Sequence, residues 1–558
     1  MAGIRLVLTH LSVLVVCSAA VAAEPGPLAP QALEVLRTHC YRCHGQNGSN
    51  KGGVNYVTDL RELVARKPVV PGNPASSDLY AAVESGRMPP PDQKPRLTNA
   101  DVAVLRRWIE VGAPAPDAAP ARRTFLSPAA VLEQVRDDLA TLPEGDRRFA
   151  RYFTFAHLYN AGIPGDRLQA HRDALSKLLN SLSWSRKIVG PRAIEPKDTV
   201  FRIDLRDYGW DERGWETVLA ADPYRVTYGT EAENVGRALS GCKFPLVRAD
   251  WFVAEASRPP LYHRLLRLPK TEGELERLLG VNVAEDIQSQ RVARAGFNGS
   301  DVSPNNRLIE RHEARYGAYW KAYDFHGGGG RKNLFGRPLG PGPAEVGFQY
   351  DLGEILFNLP NGLQAYLIVD DQGKRLNEVT LHDDLVTNGG GCMSCHAHGP
   401  LQQDDQVREH VRKNRQAYSA REVKTVLALY PPKEDFVALV KVDRERFARA
   451  LAQAFGRSGD GEREPIAVLI RQFQSELGLP LAAAEAGLQP DEFLSRLGST
   501  PLARQLPLAC DEGTVPRELY TKLFPEIVRR LRVGKDDWSP EQFLRSPERR
   551  REPKSPRP

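Results

Sequence analysis

The apolar positions of this chain change period along its length. Residues 31–39 carry Leu33, Val35 and Leu36 at helical spacing. A second helix is expected after Thr98, through Val102, Leu105, Trp108 and Ile109, with Asp101 as the acid of a capping box and Gly112 with Pro114 as the stop. Between the two lies a Gly-rich loop (Gly45, Gly48, Gly52, Gly53). Residues 114–123, rich in Pro and Ala, read as a linker. Over 124–190 the helical period returns in Val131, Leu132, Val135 and Leu139, and again in Leu175, Leu178, Leu179 and Leu182. Aromatics and turns become denser over 191–400. There, 354–359 and 363–369, separated by Pro360-Asn361-Gly362, read as a β-hairpin, and Asp371-Gln372-Gly373 as a further turn. Over 401–545 helices are expected again, with Phe447, Leu451 and Phe455 on one face and Gly456 as the stop. The fold class is thus multidomain and mainly α. The expected divisions are 1–23 as a leader, 24–116 as a compact first domain, 117–190 as linker and helical region, 191–400 as mixed α+β, 401–545 as helical, and 546–558 as a disordered basic tail.

Composition narrows the class. The 558 residues allow about three or four domains at ~150 residues each. A net charge of +6 is small for this length and argues against a nucleic-acid partner. Residues 1–23 read as a secretory signal peptide, with Arg5, the apolar run 6–16 and Val21-Ala22-Ala23 before Glu24. That run is short for a membrane span, Val16 stands where a lipobox before Cys17 needs a small residue, and nothing later is apolar enough to cross a bilayer. The mature chain is expected to be exported, periplasmic or secreted, with no membrane span. Of seven Cys, one lies in the leader and four in the motifs below. Cys242 and Cys510 remain, either as a disulfide or as two separate buried thiols.

The chemistry is carried by a pentapeptide that occurs twice, Cys40-Tyr41-Arg42-Cys43-His44 and Cys392-Met393-Ser394-Cys395-His396. Cys-x-x-Cys-His is the attachment pattern of c-type haem: two thiols three residues apart reach the two vinyl groups of one porphyrin, and the adjacent His ligates the iron. His44 is then the first proximal ligand, and Met88, in Arg87-Met88-Pro89-Pro90, the expected distal one. A thioether stabilises ferrous iron and raises the potential. The prolines stiffen the loop that delivers it. Residues 40–114 resemble the planctomycete-type cytochrome c domain. The pieces that carry the resemblance are Cys40-Tyr41-Arg42-Cys43-His44-Gly45, Lys51-Gly52-Gly53, Val70-Pro71-Gly72-Asn73-Pro74, Ser77-Asp78-Leu79-Tyr80, Met88-Pro89-Pro90, Leu97-Thr98, Trp108-Ile109 and Gly112-Ala113-Pro114. The resemblance implies a small all-α, monohaem unit with Cys40 and Cys43 bonded to haem and His44 and Met88 on iron. It implies electron transfer without naming the pathway.

The second motif follows Gly389-Gly390-Gly391, and no Met-Pro-Pro loop comes after it. Met393 lies between the two cysteines and cannot reach across the ring. The distal ligand at His396 is therefore a His, a weaker group or none. His312 and His326, which flank the aromatic stretch Tyr316, Tyr319, Trp320, Tyr323 and Phe325, are the leading candidates, followed by His382. A zinc or redox Cys-x-x-Cys is the rival for this motif; zinc wants a second ligand pair, and a thioredoxin-like motif wants a βαβ setting. The Gly327 to Gly330 run lacks the Lys-Ser/Thr ending of a P-loop. The resulting expectation is an exported dihaem c-type cytochrome with two covalently attached haems, exchanging electrons with unidentified redox partner proteins. The alternatives are a peroxidase-like haem oxidoreductase, in which a small-molecule oxidant reaches an open second haem fed by the first, and a binding protein that uses haem as sensor or tether.

Overall fold

The structure is a computed structural model that describes residues 28–45, 54–90, 93, 96–113, 123–299, 305–326, 329–341, 347–381, 384–456, 464–508 and 513–536. The leader, the Gly-rich loop, most of the linker, the basic tail, His382 and Cys510 lie outside them. The chain divides into two compact units, 1–123 and 124–558. It is a mixed α and α+β protein with several small sheets. No helix among the described residues is long and apolar enough to cross a membrane.

The first unit is all-helical: α1 (Leu28–His39), α2 (Tyr41–His44), α3 (Leu60–Ala65), α4 (Asp78–Glu84) and α5 (Asn99–Glu110). The capping box at α5 forms as its sequence requires. The Asp101 amide donates to the Thr98 hydroxyl at 3.2 Å, and the Thr98 amide donates to the Asp101 carboxylate at 2.8 Å. The apolar stripe of α5 packs on α1, so that Leu36, Leu105, Trp108 and Ile109 are fully buried with Leu60 and Leu63 from α3. Each such side chain stabilises the unit by about 1.5–3 kcal/mol. This core holds the end of α1, and therefore the turn that follows it, in place.

The main core of the second unit runs from Phe153 to Leu531, with two smaller clusters beside it. The divisions read near 190 and 400 are internal to it. Its first long helices are α6 (Pro128–Thr141) and α7 (Gly165–Ser181). Between them lies a strand, β1 (Ala150–Thr154), in a stretch whose periodicity reads as helical; all five of its residues are buried, and so short a run has no period to separate strand from helix. β1 is central in a four-stranded sheet with β2 (Arg192–Ala193), β3 (Val200–Asp204) and β4 (Leu246–Arg248), in the order β2-β3-β1-β4. Cys242 is a free, half-buried thiol.

A second sheet is an antiparallel meander: β5 (Ala293–Asn298), β6 (Asn306–Ala314), β7 (Gly317–Asp324), β8 (Leu352–Asn358) and β9 (Gln364–Asp370), hydrogen-bonded in chain order. β8 and β9 are the expected hairpin, with Leu356 opposite Tyr366. The period of two sends alternate residues to opposite faces. Arg307 stands opposite Asp324, Ile309 opposite Ala322 and Arg311 opposite Trp320; Ala322 in turn faces Glu354, and Trp320 faces Leu356. These residues share one face. His312, Tyr319 and Tyr323 belong to the other. A small hairpin, β10 (Glu378–Leu381) and β11 (Asp384–Thr387), then leads into α8 (Gly390–Cys395), the helix of the second motif.

Candidate haem-binding sites

At the first site the chain continues from α1 by a single turn. The Cys43 and His44 amides donate to the Cys40 carbonyl at 3.1 and 3.0 Å, which gathers both thiols and the imidazole within one helical turn. His44 Nδ1 lies 3.3 Å from the Val54 carbonyl. A carbonyl only accepts, so Nδ1 carries the proton and the Nε2 lone pair is free for a metal. Burial, with Cys43 adding, pushes the Cys40 thiol up to about 11, so it is protonated at neutral pH. Behind the ligand, Gly45 has no room for a side chain: a Cβ there would lie 2.3 Å from the Tyr41 ring.

Met88 follows α4 on a loop whose carbonyls converge on a residue the sequence reading missed. The Arg96 guanidinium donates to the carbonyls of Pro89 at 2.6 Å, Pro90 at 3.1 Å and Gly86 at 3.4 Å, while the Met88 amide donates to Ala82. One rigid fork thus fixes the loop on both sides of the thioether. Nothing in the sequence marks Arg96 among 76 Lys and Arg residues.

At the second site Cys392, Cys395 and His396 line a single cleft, with about 980 Å³ of free space including its mouth. Its floor is the sheet face just described, contributing Ile309, Trp320, Ala322, Leu356, Tyr366 and Ile368. The lining is mostly apolar, as a porphyrin face requires. His396 repeats the arrangement of His44: Nδ1 lies 3.1 Å from the Gly399 carbonyl, and the ring stacks on Tyr366 at 5.8 Å between centroids. Burial lowers the pKa of His396, which keeps the imidazole neutral and Nε2 able to ligate. Burial likewise pushes Cys392 up to about 12 and raises Cys395. Met393 points into the core at 1 % exposure.

Two features weigh against the zinc and redox readings. Among the described residues no group of three or more His, Cys, Asp or Glu is placed to hold a metal ion. The motif follows an antiparallel hairpin, not a βαβ crossover.

Gly389 explains the glycines before the motif. Its φ is +98°, and a Cβ would sit 2.5 Å from the Ser257 carbonyl, the same oxygen that accepts from the Gly390 amide at 2.6 Å. Backbone must therefore approach backbone for α8 to start here. Gly389→Ala is expected to destabilise the second unit by about 2 kcal/mol or more, read as a lower denaturation midpoint.

Of the candidate distal histidines, His312 and His326 do not line this cleft, and His382 lies outside the described residues. His312 is completely buried on the opposite face of the sheet, with Nδ1 2.9 Å from Asp286 and Nε2 3.2 Å from Glu310. Nδ1 is hydrogen-bonded to Asp286 and Nε2 faces Glu310, away from the cleft. His326 sits on a loop, its side chain 66 % exposed, near Asp351. Among the described residues the cleft lining holds no His or Met besides His396. It does hold Arg307 and Glu354, brought there from 47 residues apart by strand register alone.

Against known families, residues 40–92 match the model of the planctomycete cytochrome C domain. No curated protein and no solved structure matches the chain. Residues 40–92 are thus a planctomycete cytochrome c domain, which implies covalent haem c on Cys40 and Cys43 and haem-based electron transfer.

Proposed function

We propose that the protein is an exported dihaem c-type cytochrome that moves electrons through two covalently bound haems. His44 and Met88 ligate the first iron and His396 the second. The observation that carries the second haem is the cleft: two thiols three residues apart and a neutral His with Nδ1 tied to a carbonyl, all facing one apolar slot. Haem bound there supplies one-electron chemistry. The chain's own part is to attach it, orient its proximal His and exclude water from one face with Tyr366, Trp320 and the aliphatic floor. A Met-ligated first haem is the higher-potential port, since a thioether favours ferrous iron.

The test is a spectroelectrochemical titration of protein made in a host with haem-attachment machinery. Two one-electron waves are expected, and a single wave contradicts the dihaem reading. Export is tested by sequencing the N-terminus of the periplasmic protein, which is expected to begin at Glu24. Unidentified redox proteins on the same side of the membrane are the expected partners.

One observation favours the second reading, a haem oxidoreductase. Among the described residues lining the cleft, no side chain offers a strong second axial ligand. Lys321, the one amine there, donates to Glu272 at 2.7 Å.

A further inference from the structure

The floor of the second cleft is apolar except at one end. There Arg307 of β6, Asp324 of β7 and Glu354 of β8 meet on the same face. Arg307 donates to Glu354 Oε2 at 2.7 Å and lies 3.5 Å from Asp324 Oδ2. Arg307 and Asp324 are 6 % and 3 % exposed, and Arg307 and Glu354 line the cleft beside Cys395. The cluster is under-satisfied. With both carboxyls ionised, neither oxygen of Asp324 nor Oε1 of Glu354 has a hydrogen-bond donor, and the two side chains lie close enough to share a proton. Elsewhere on the same face the pattern differs: Asp443 accepts from Trp320 Nε1 at 2.9 Å and from Arg311 Nε at 2.8 Å.

The charge count separates two roles. One guanidinium faces two carboxylates, so the cluster already carries an excess of negative charge. That makes it a poor seat for the propionates of a porphyrin, which would add more. It suits a site that accepts a proton. Burial pushes Asp324 up to about 7 against the pull of Arg307, with Glu354 adding to the rise, so one proton is easily held between the two carboxyls. Acceptor oxygens and one fixed cation, reaching the cleft through Arg307 and Glu354 with Asp324 behind them, suit a ligand that brings a proton with it.

We propose that Arg307, Asp324 and Glu354 form a proton-accepting site for a small protic ligand of the hydrogen peroxide class, bound in the cleft beside the second haem. This rests on the dihaem reading. In the binding step the H–X bond would break heterolytically, with H⁺ passing to a carboxylate of the Asp324–Glu354 pair and X⁻ to the ferric haem that Cys392, Cys395 and His396 would hold. No electron is transferred. The Arg307 guanidinium donates to the anion that is left.

Hydrogen cyanide is a suitable probe, because it too must lose its proton to bind ferric haem. Carbon monoxide on the ferrous protein is the control, because it carries none. The experiment uses the full-length holoprotein, with intact mass to count haems and ferric EPR to read the spin state. Two haems are expected, one of them high-spin. Glu354→Gln and Asp324→Asn, which keep shape, are expected to slow cyanide association by about 10²-fold, the lower range for a lost general base. Haem count and carbon monoxide association should stay unchanged. Cyanide association at the wild-type rate in both variants overturns the proposal, as does a low-spin second haem in the wild type. A parallel loss of carbon monoxide binding would mark the residues as structural and overturn it too. A chain that carries one haem overturns the dihaem reading and this inference with it.

Discussion

Replacing Cys392 and Cys395 together by alanine is expected to halve the haem carried per chain. Neither residue contributes to the first unit, whose core and haem turn lie wholly within residues 28–113. The Cys40–Cys43–His44 site should therefore fill as before. The cleft loses its two covalent tethers, and His396 alone holds a porphyrin only through one metal bond. The measurement is haem per chain from the pyridine haemochrome spectrum, alongside the spectrum of the Met-ligated iron. A change from two to one with that spectrum intact is the expected result. Unchanged haem content would mean that the second motif attaches none.

The second large effect is expected at Met88. Met88→Ala removes the thioether that stabilises ferrous iron. The potential of the first haem should fall on the order of 0.2 V, a modest part of the roughly 0.8 V that axial ligation and its surroundings span. The second haem should not move, because its cleft shares no residue with this loop. Arg96→Ala is expected to give a smaller fall in the same direction. There the thioether remains, but the carbonyls of Gly86, Pro89 and Pro90 lose the guanidinium that fixes them. The charge-transfer band of Met-ligated ferric haem reads both variants. An unchanged titration in Met88→Ala would remove Met88 from the iron.

Much of this site was legible in the residues, because local chemistry fixes it. Two thiols and an imidazole within five residues need only one helical turn to converge. The Thr98–Asp101 cap and the Gly456 stop are equally local; Gly456 ends its helix at φ +64°. The hairpin of β8 and β9 was legible from its turn. The rest of the meander was not, because its buried positions are polar. Arg294 pairs with Glu310, Arg311 with Asp443 and Lys321 with Glu272, so a strand that hydropathy paints as exposed is buried on both faces. The same alternation misled the choice of distal histidine. Of the aromatic stretch beside His312, Trp320 lines the cleft, but Tyr319 and Tyr323 turn to the other face and donate to Glu276 and Glu310. His312 goes with them. The Arg307–Asp324–Glu354 cluster has no sequence mark at all, since only strand register assembles it.

The central claim is that the second Cys-x-x-Cys-His carries haem. Peptide mass spectrometry of the protein, expressed with haem-attachment machinery and digested without reduction, tests it most directly. The fragment containing Cys392 to His396 is expected to carry one haem through two thioether bonds, as is the fragment containing Cys40 to His44. A Cys392 fragment recovered with free thiols, from the same chains whose Cys40 fragment is haem-bound, would contradict it.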